Sequence, residues 1–118
     1  VKLEGDRLLL RIYLGESNRR GGVPLYEAIV QRAREIGLAG ATVLRGVEGF
    51  GAKSHHIHRA SILRLSEDLP IVVEIVDARE KIEAFLEELE PWIEDGMVTL
   101  ERVQVMLYRS HREPEGGT

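Results

Sequence analysis

Two strand segments constrain this chain most. RLLLRIYL (7–14) puts Leu8, Leu10, Ile12 and Leu14 on one side and Arg11 and Tyr13 on the other, the period-two pattern of a strand with one buried face. IVVEIVD (71–77) is a second strand of the same quality. Each leads into helical spacing. After turn chemistry in GESNRRGG (15–22), Pro24 suits the first position of a helix, and Leu25, Ala28, Ile29, Ala33 and Ile36 keep the period until Gly37 stops it. After the second strand, Asp77 and Glu80 make a capping box, and Ile82, Phe85, Leu86, Leu89 and Ile93 line one stripe of a helix that Pro91 should end or kink.

Two further strands complete the pattern: ATVLRGVE (41–48), and RVQVMLY (102–108) after a turn at DGMV. RASILRLS (59–66) reads either as a short strand or as part of a loop arm. The order is strand, helix, strand, loop, strand, helix, strand. Right-handed crossovers in both halves predict an α+β, ferredoxin-like split βαβ sandwich, an antiparallel sheet with both helices on one face. The opposite face, with Leu9, Arg11 and Tyr13, is partly apolar and uncovered, which predicts self-association. A single domain over 1–118 is expected, with a polar tail at 109–118 that frays.

The formal net charge of −4 argues against a nucleic-acid surface, which needs a basic field. There is no cysteine, hence no disulfide framework, zinc–cysteine site or thiol nucleophile. No N-terminal apolar run has the length of a signal or a membrane span, so the expected location is the cytoplasm. No Ser–His–Asp elbow, H-E-x-x-H or kinase motif is present, and the carboxylate pairs Glu87–Glu88 and Glu94–Asp95 fit a solvated helix surface. The chain is not expected to be an enzyme.

Charge is nevertheless segregated. Residues 78–101 carry eight carboxylates against Arg79 and Lys81, whereas RGVEGFGAKSHHIHRASILR (45–64) sets Arg45, Lys53, Arg59 and Arg64 against Glu48 alone. Gly46, Gly49 and Gly51 at its start could let the backbone take positive φ and let a ligand reach its N–H groups, with Lys53 and Arg59 nearby for an anion such as a nucleotide phosphate. They could equally do no more than shape a hairpin. His56 and His58, two apart on an extended segment and flanked by His55, could chelate a metal ion, or be exposed imidazoles that titrate near neutrality. Arg109 and Arg112, with His111, follow the last strand; in an oligomer they could close onto a phosphate held by a neighbour.

RGVEGFG (45–51), a long loop, and a return through LPIVVEIVD (69–77) resemble PII-type signalling proteins. RIYLGES (11–17), PLYEAIVQRAREIGLAGATVLRG (24–46), GFG (49–51) and LRLSEDLPIVVEIVD (63–77) are more specifically similar to the PII-like branch known as domain of unknown function family 190. The resemblance implies a compact homotrimer that binds adenine nucleotides in clefts between subunits. It also implies a mobile T-loop, about 49–68 here, that engages a protein partner such as a membrane transporter or channel. Matched by position, Gly49, Phe50 and Gly51 form the T-loop base against the nucleotide, with Arg45 beside it. Lys53, Arg59 and the histidines lie on the loop, and Arg109 sits near the phosphates. Where PII proteins carry a glycine-rich, lysine-containing loop for ATP phosphates, this chain has IEDGMVTLE (93–101), with one glycine, no lysine and several carboxylates, so AMP or ADP is expected over ATP. In GESNRRGG, Glu16 could accept from a ribose hydroxyl and Arg19 or Arg20 could meet phosphate.

The expected function is therefore a non-enzymatic, nucleotide-sensing regulator that requires no cofactor and takes an adenine nucleotide as effector. The rivals are a metal-responsive binding protein using His55, His56 and His58, and a small nucleotide-processing enzyme.

Overall fold

The computed structural model describes residues 3–51, 58–59 and 68–110. In chain order the elements are β1 (Gly5–Gly15), β2 (Arg19–Arg20), β3 (Val23–Pro24), α1 (Leu25–Glu35), β4 (Thr42–Arg45), β5 (Glu48–Gly49), β6 (His58–Arg59), β7 (Pro70–Asp77), α2 (Arg79–Leu89), a single 3-10 turn (Glu90–Trp92) and β8 (Met97–Val105). Four strands form one sheet in the order β4-β7-β1-β8, with every neighbouring pair antiparallel. That is the ferredoxin-like arrangement the strand–helix order required, because each crossover leaves room for one strand between the two it connects.

The alternation in β1 and β7 decides which face is covered. Leu8, Leu10, Ile12 and Leu14 of β1 and Ile71, Val73 and Ile75 of β7 are buried against Leu25, Ile29 and Ala33 of α1 and Ile82, Phe85 and Leu89 of α2. The helices are also tied to each other: Arg32 of α1 reaches Glu88 of α2 at 2.7 Å and Glu35 on its own helix at 3.2 Å. The hydrogen bond to Glu88, then that to Glu35, holds the Arg32 guanidinium above its ordinary pKa. α1 stops where expected. Gly37 takes φ +82°, and the N–H groups of Gly37 and Leu38 return to the carbonyls of Arg34 and Ala33.

The structure corrects four local expectations. Pro24 precedes the helix as its N-cap, because it pairs with Arg19 in the β2–β3 hairpin. The capping box does not form. Ala78 is the N-cap, and the Asp77 carboxylate, only 5% exposed, instead accepts the N–H of Ala39 at 2.8 Å and of Ala78 at 2.7 Å. The strand read as 41–48 ends at Arg45, where the chain is crowded by Pro70 and turns into the short β5–β6 pair. The closing strand runs Met97–Val105 rather than 102–108; it is an edge strand, so its hydrophobic alternation is weak, and its register along β1 from Tyr13 to Gly5 takes in Met97 and Val98 of the segment read as a turn. Of the segment 59–66, only Arg59 falls among the described residues.

On the uncovered face the strand register lines residues up across the sheet. Leu44, Val72, Tyr13 and Met97 form one apolar row, and Thr42, Glu74, Arg11 and Thr99 form the next. Arg11 joins three strands there, with its Nε at 2.9 Å from Glu74 and its Nη1 at 3.0 Å from Glu101. Among the described residues no helix is long and apolar enough to cross a membrane.

Candidate functional site

At one end of the sheet three chain segments converge: the turn after β1, the end of β4 and the start of β7. The turn is built by side chains that the sequence places for it. Asn18 Oδ1 accepts the N–H of Gly15 at 2.8 Å, and Asp68 Oδ1 accepts the N–H of Ser17 at 2.7 Å. The Glu16 N–H donates to the Leu69 carbonyl at 2.9 Å, and the Gly46 N–H donates to the Pro70 carbonyl at 2.7 Å. Arg45 closes the set with an ion pair to Glu16 at 2.6 Å. Both roots of the segment 49–68 are thus fastened to the β1–α1 turn.

The glycines of this root act by leaving room. None of Gly46, Gly49 and Gly51 has positive φ, contrary to the expectation. A Cβ on Gly46 would stand 2.7 Å from Pro70 Cγ and one on Gly49 3.1 Å from it, whereas one on Gly51 would meet nothing. Pro70 is the residue that explains Gly46 and Gly49. The signal for it was in LPIVVEIVD, but only the fold shows what the ring packs against.

Beside the root, the β2–β3 hairpin leans on the sole tryptophan. The Arg20 guanidinium lies 3.9 Å above the Trp92 ring. Arg19 donates to the Gly22 carbonyl at 2.8 Å. Asn18, Arg19, Arg20, Leu25, Trp92 and Glu94 border a shallow cleft of about 230 Å³. Trp92 as a platform for Arg20 was not anticipated; a lone tryptophan just after a helix-ending proline was the available sign. Gly96 brings the loop after the 3-10 turn close to β1, since a Cβ there would fall 2.5 Å from the Tyr13 carbonyl oxygen.

The anticipated site residues divide as follows. Arg45 and Gly49 belong to the root just described. Phe50 is 71% exposed and Val47 is 74% exposed, so apolar side chains stand uncovered where the loop leaves the sheet. Gly51 lies at the limit of the described segment. His58 and Arg59 pair through their backbones with Gly49 and Glu48. Lys53, His55 and His56, together with Arg112 and His111, lie outside the described residues. Arg109 is described and exposed, beyond the end of β8. The root sits at the Gly15 end of β1, whereas the sheet-side neighbours of Arg109 are at the Gly5 end, so within one chain the two are not brought together. Among the described residues no three histidine, aspartate or glutamate side chains form a metal-binding group.

This geometry can bind and position; what it most resembles is settled by comparison. Residues 7–105 match the family DUF190, described as Uncharacterized ACR, COG1993. The chain belongs to DUF190. Two relatives from Aquifex aeolicus (strain VF5), each a UPF0166 protein, are 44% and 37% identical over 98 residues, covering 83% of this chain and 91% and 95% of their own. UPF0166 protein MJ1524 of Methanocaldococcus jannaschii is 36% identical over 81 residues, covering 69% of this chain and 73% of its own. Among solved structures, CPII of Thiomonas intermedia K12 bound to ADP and bicarbonate aligns with a TM-score of 0.63 at 22% identity, covering 85% of this chain and 88% of that one. The same CPII, described as a nitrogen regulatory PII-like protein and bound to ADP, AMP and bicarbonate, aligns with a TM-score of 0.64 at 20% identity over the same shares. This DUF190 chain therefore has the PII-like, ferredoxin-like α+β fold that its residues resemble.

Proposed function

We propose that this DUF190 protein is a non-enzymatic PII-like regulator. In this reading it assembles as a homotrimer, binds AMP or ADP in preference to ATP at clefts between subunits, and reports occupancy to a protein partner through the segment 49–68. The observation that carries the reading is the fastening of both roots of that segment to the β1–α1 turn, through Arg45–Glu16, Glu16–Leu69 and Ser17–Asp68, and to each other through Gly46–Pro70. A ligand that engages this turn competes for the same N–H groups and charges, and so binds one loop arrangement better than another, which a switch requires. Structural neighbours with this fold were solved with ADP and AMP, which supports an adenine nucleotide as effector.

Several features fit the finer terms. Glu16 and Asp68 at the root and Glu94 at the cleft beside it disfavour a triphosphate. The apolar row Leu44–Val72–Tyr13–Met97 supplies a face for self-association. In such an assembly Arg109 of one copy would meet the loop root of another, which a single chain does not achieve. Val47 and Phe50 give a partner apolar contact beside the loop, and a membrane transporter or channel is the kind of partner the resemblance implies.

Calorimetric titration with AMP, ADP and ATP, with and without magnesium, tests the reading. Saturable AMP or ADP binding near one per chain is expected, weaker for ATP, and weakened in Arg45→Ala and in Arg109→Ala. No saturable binding of any of the three would sink it.

A further inference from the structure

The opposite end of the sheet carries a second concentration of charge. Asp6 and Arg7 open β1, Arg102, Val103 and Gln104 lie towards the end of β8, and Arg79 is the first residue of α2. The β1–β8 register sets Arg102 opposite Leu8, Val103 opposite Arg7 and Gln104 opposite Asp6. Leu8 is buried beneath the helices, so Arg102 shares the helix-bearing side, where α2 begins with Arg79. With Asp6 and Leu8 these residues line a cleft of about 450 Å³, roughly twice the one beside Trp92.

Its charge runs against that of the chain. Three guanidiniums face one carboxylate, in a protein whose formal net charge is −4. Among the described residues Arg79 is engaged only by an exposed pair to Glu83 at 3.1 Å, a contact of the kind that water and salt readily replace. Arg7 donates to the Asp6 backbone carbonyl at 2.7 Å. The Arg102 side chain makes no hydrogen bond or ion pair among the described residues. Leu8, buried on the helix-bearing side, adds an apolar wall beside Arg102, which strengthens the field inside such a cleft.

We propose that this cleft binds a compact dianionic oxyanion, a phosphate or the phosphate group of a small monoester. Arg102 and Arg79 hold its oxygens, with Arg7 at the rim. Guanidinium forks match phosphate oxygens two at a time, which an ammonium does not. The loop root lies at the other end of β1, seven residues from Leu8 and so about 23 Å away at ~3.3 Å per residue. The cleft is thus separate from the nucleotide site proposed above and does not depend on it.

The test is an amide NMR titration of the full chain at ionic strength held constant with sodium chloride, with inorganic phosphate in one series and glycerol 3-phosphate in another. Saturating shifts confined to the amides around Leu8, Arg79 and Arg102–Gln104 are expected. Saturation by both ligands would identify a phosphate-monoester site, and saturation by phosphate alone a site for the free ion. Arg102→Ala should weaken binding at least tenfold and Arg102→Lys less, with ADP titrations unchanged in both. Should Arg102→Ala fail to fold, Arg79→Gln reads the same loss. Shifts that never saturate, that scatter over the surface, or that survive Arg102→Ala would overturn the proposal.

Discussion

Gly46 and Pro70 are in such close contact that position 46 has no room for a side chain. The Gly46 N–H donates to the Pro70 carbonyl at 2.7 Å, and a Cβ would sit 2.7 Å from Pro70 Cγ. The end of β4 and the start of β7 are locked there at the root of the loop. Gly46→Ala should therefore either break the hydrogen bond or push the proline ring aside, destabilising the protein by about 1–3 kcal/mol, the range of overpacking in a tight site. Gly51→Ala, with open space around the new methyl, should change stability by less than about 0.5 kcal/mol, as surface substitutions do. Urea midpoints at unchanged slope distinguish the two.

Asp77 links three parts of the fold. Its buried carboxylate takes one N–H from Ala39, ahead of β4, and one from Ala78, at the start of α2. An asparagine offers a single oxygen, so Asp77→Asn turns an amide donor towards one of the two N–H groups. The expected loss is about 1–3 kcal/mol, the penalty for a buried polar group left without its partner. Hydrogen exchange should accelerate at Ala39 and Ala78 first. Protection retained at both would contradict the role assigned to the carboxylate.

Phe85 is the largest of the fully buried side chains and sits where α2 meets the sheet. Phe85→Ala should cost about 3–5 kcal/mol, the usual range for an aromatic truncated in a core. Thermal unfolding should show the loss as a large drop in midpoint. A change below about 1 kcal/mol would mean that the helix layer packs differently from the arrangement described.

The sequence carried the fold where burial wrote a period into it. Leu8 to Leu14 and Ile71 to Val76 are each covered on one face by helices, and the alternation of the first and the β-branched run of the second locate strands β1 and β7 to within one or two residues. β8 was legible in part only. It lies at the edge, with Leu100 on the helix side yet 43% exposed, so its pattern gave no clear start. Asp77 and Glu80 had capping-box spacing, but spacing does not reveal that the Ala39 N–H competes for the carboxylate. At the loop root, Arg45 and Gly49 belong to the segment that the sequence marks by its glycines. Their partners Glu16 and Pro70 come from the turn after β1 and from β7, and a contact between segments leaves no local mark. The pairing of Arg20 with Trp92 was hidden for the same reason.

The final prediction concerns the uncovered face. Leu44 and Met97 are 49% and 55% exposed at the two edges of a row that continues through Val72 and Tyr13. Next to it Arg11 bridges Glu74 and Glu101, so a polar row borders the apolar one and only a partner matching both can cover them. Met97→Glu places a carboxylate in the apolar row and should shift sedimentation from an oligomer to a single chain at micromolar concentration. Leu100→Glu is the control: it alters an exposed leucine of the same strand, but its partner in register is Leu10, on the helix side. Assembly should survive it. pH should matter little on the alkaline side, because the hydrogen bond to Glu74 holds the Arg11 guanidinium above its ordinary pKa; a raised value keeps the charged pair intact until pH climbs past it. Should Leu100→Glu dissociate the protein and Met97→Glu not, the interface would lie along the β8 edge and the helix side, and the apolar row would have another use.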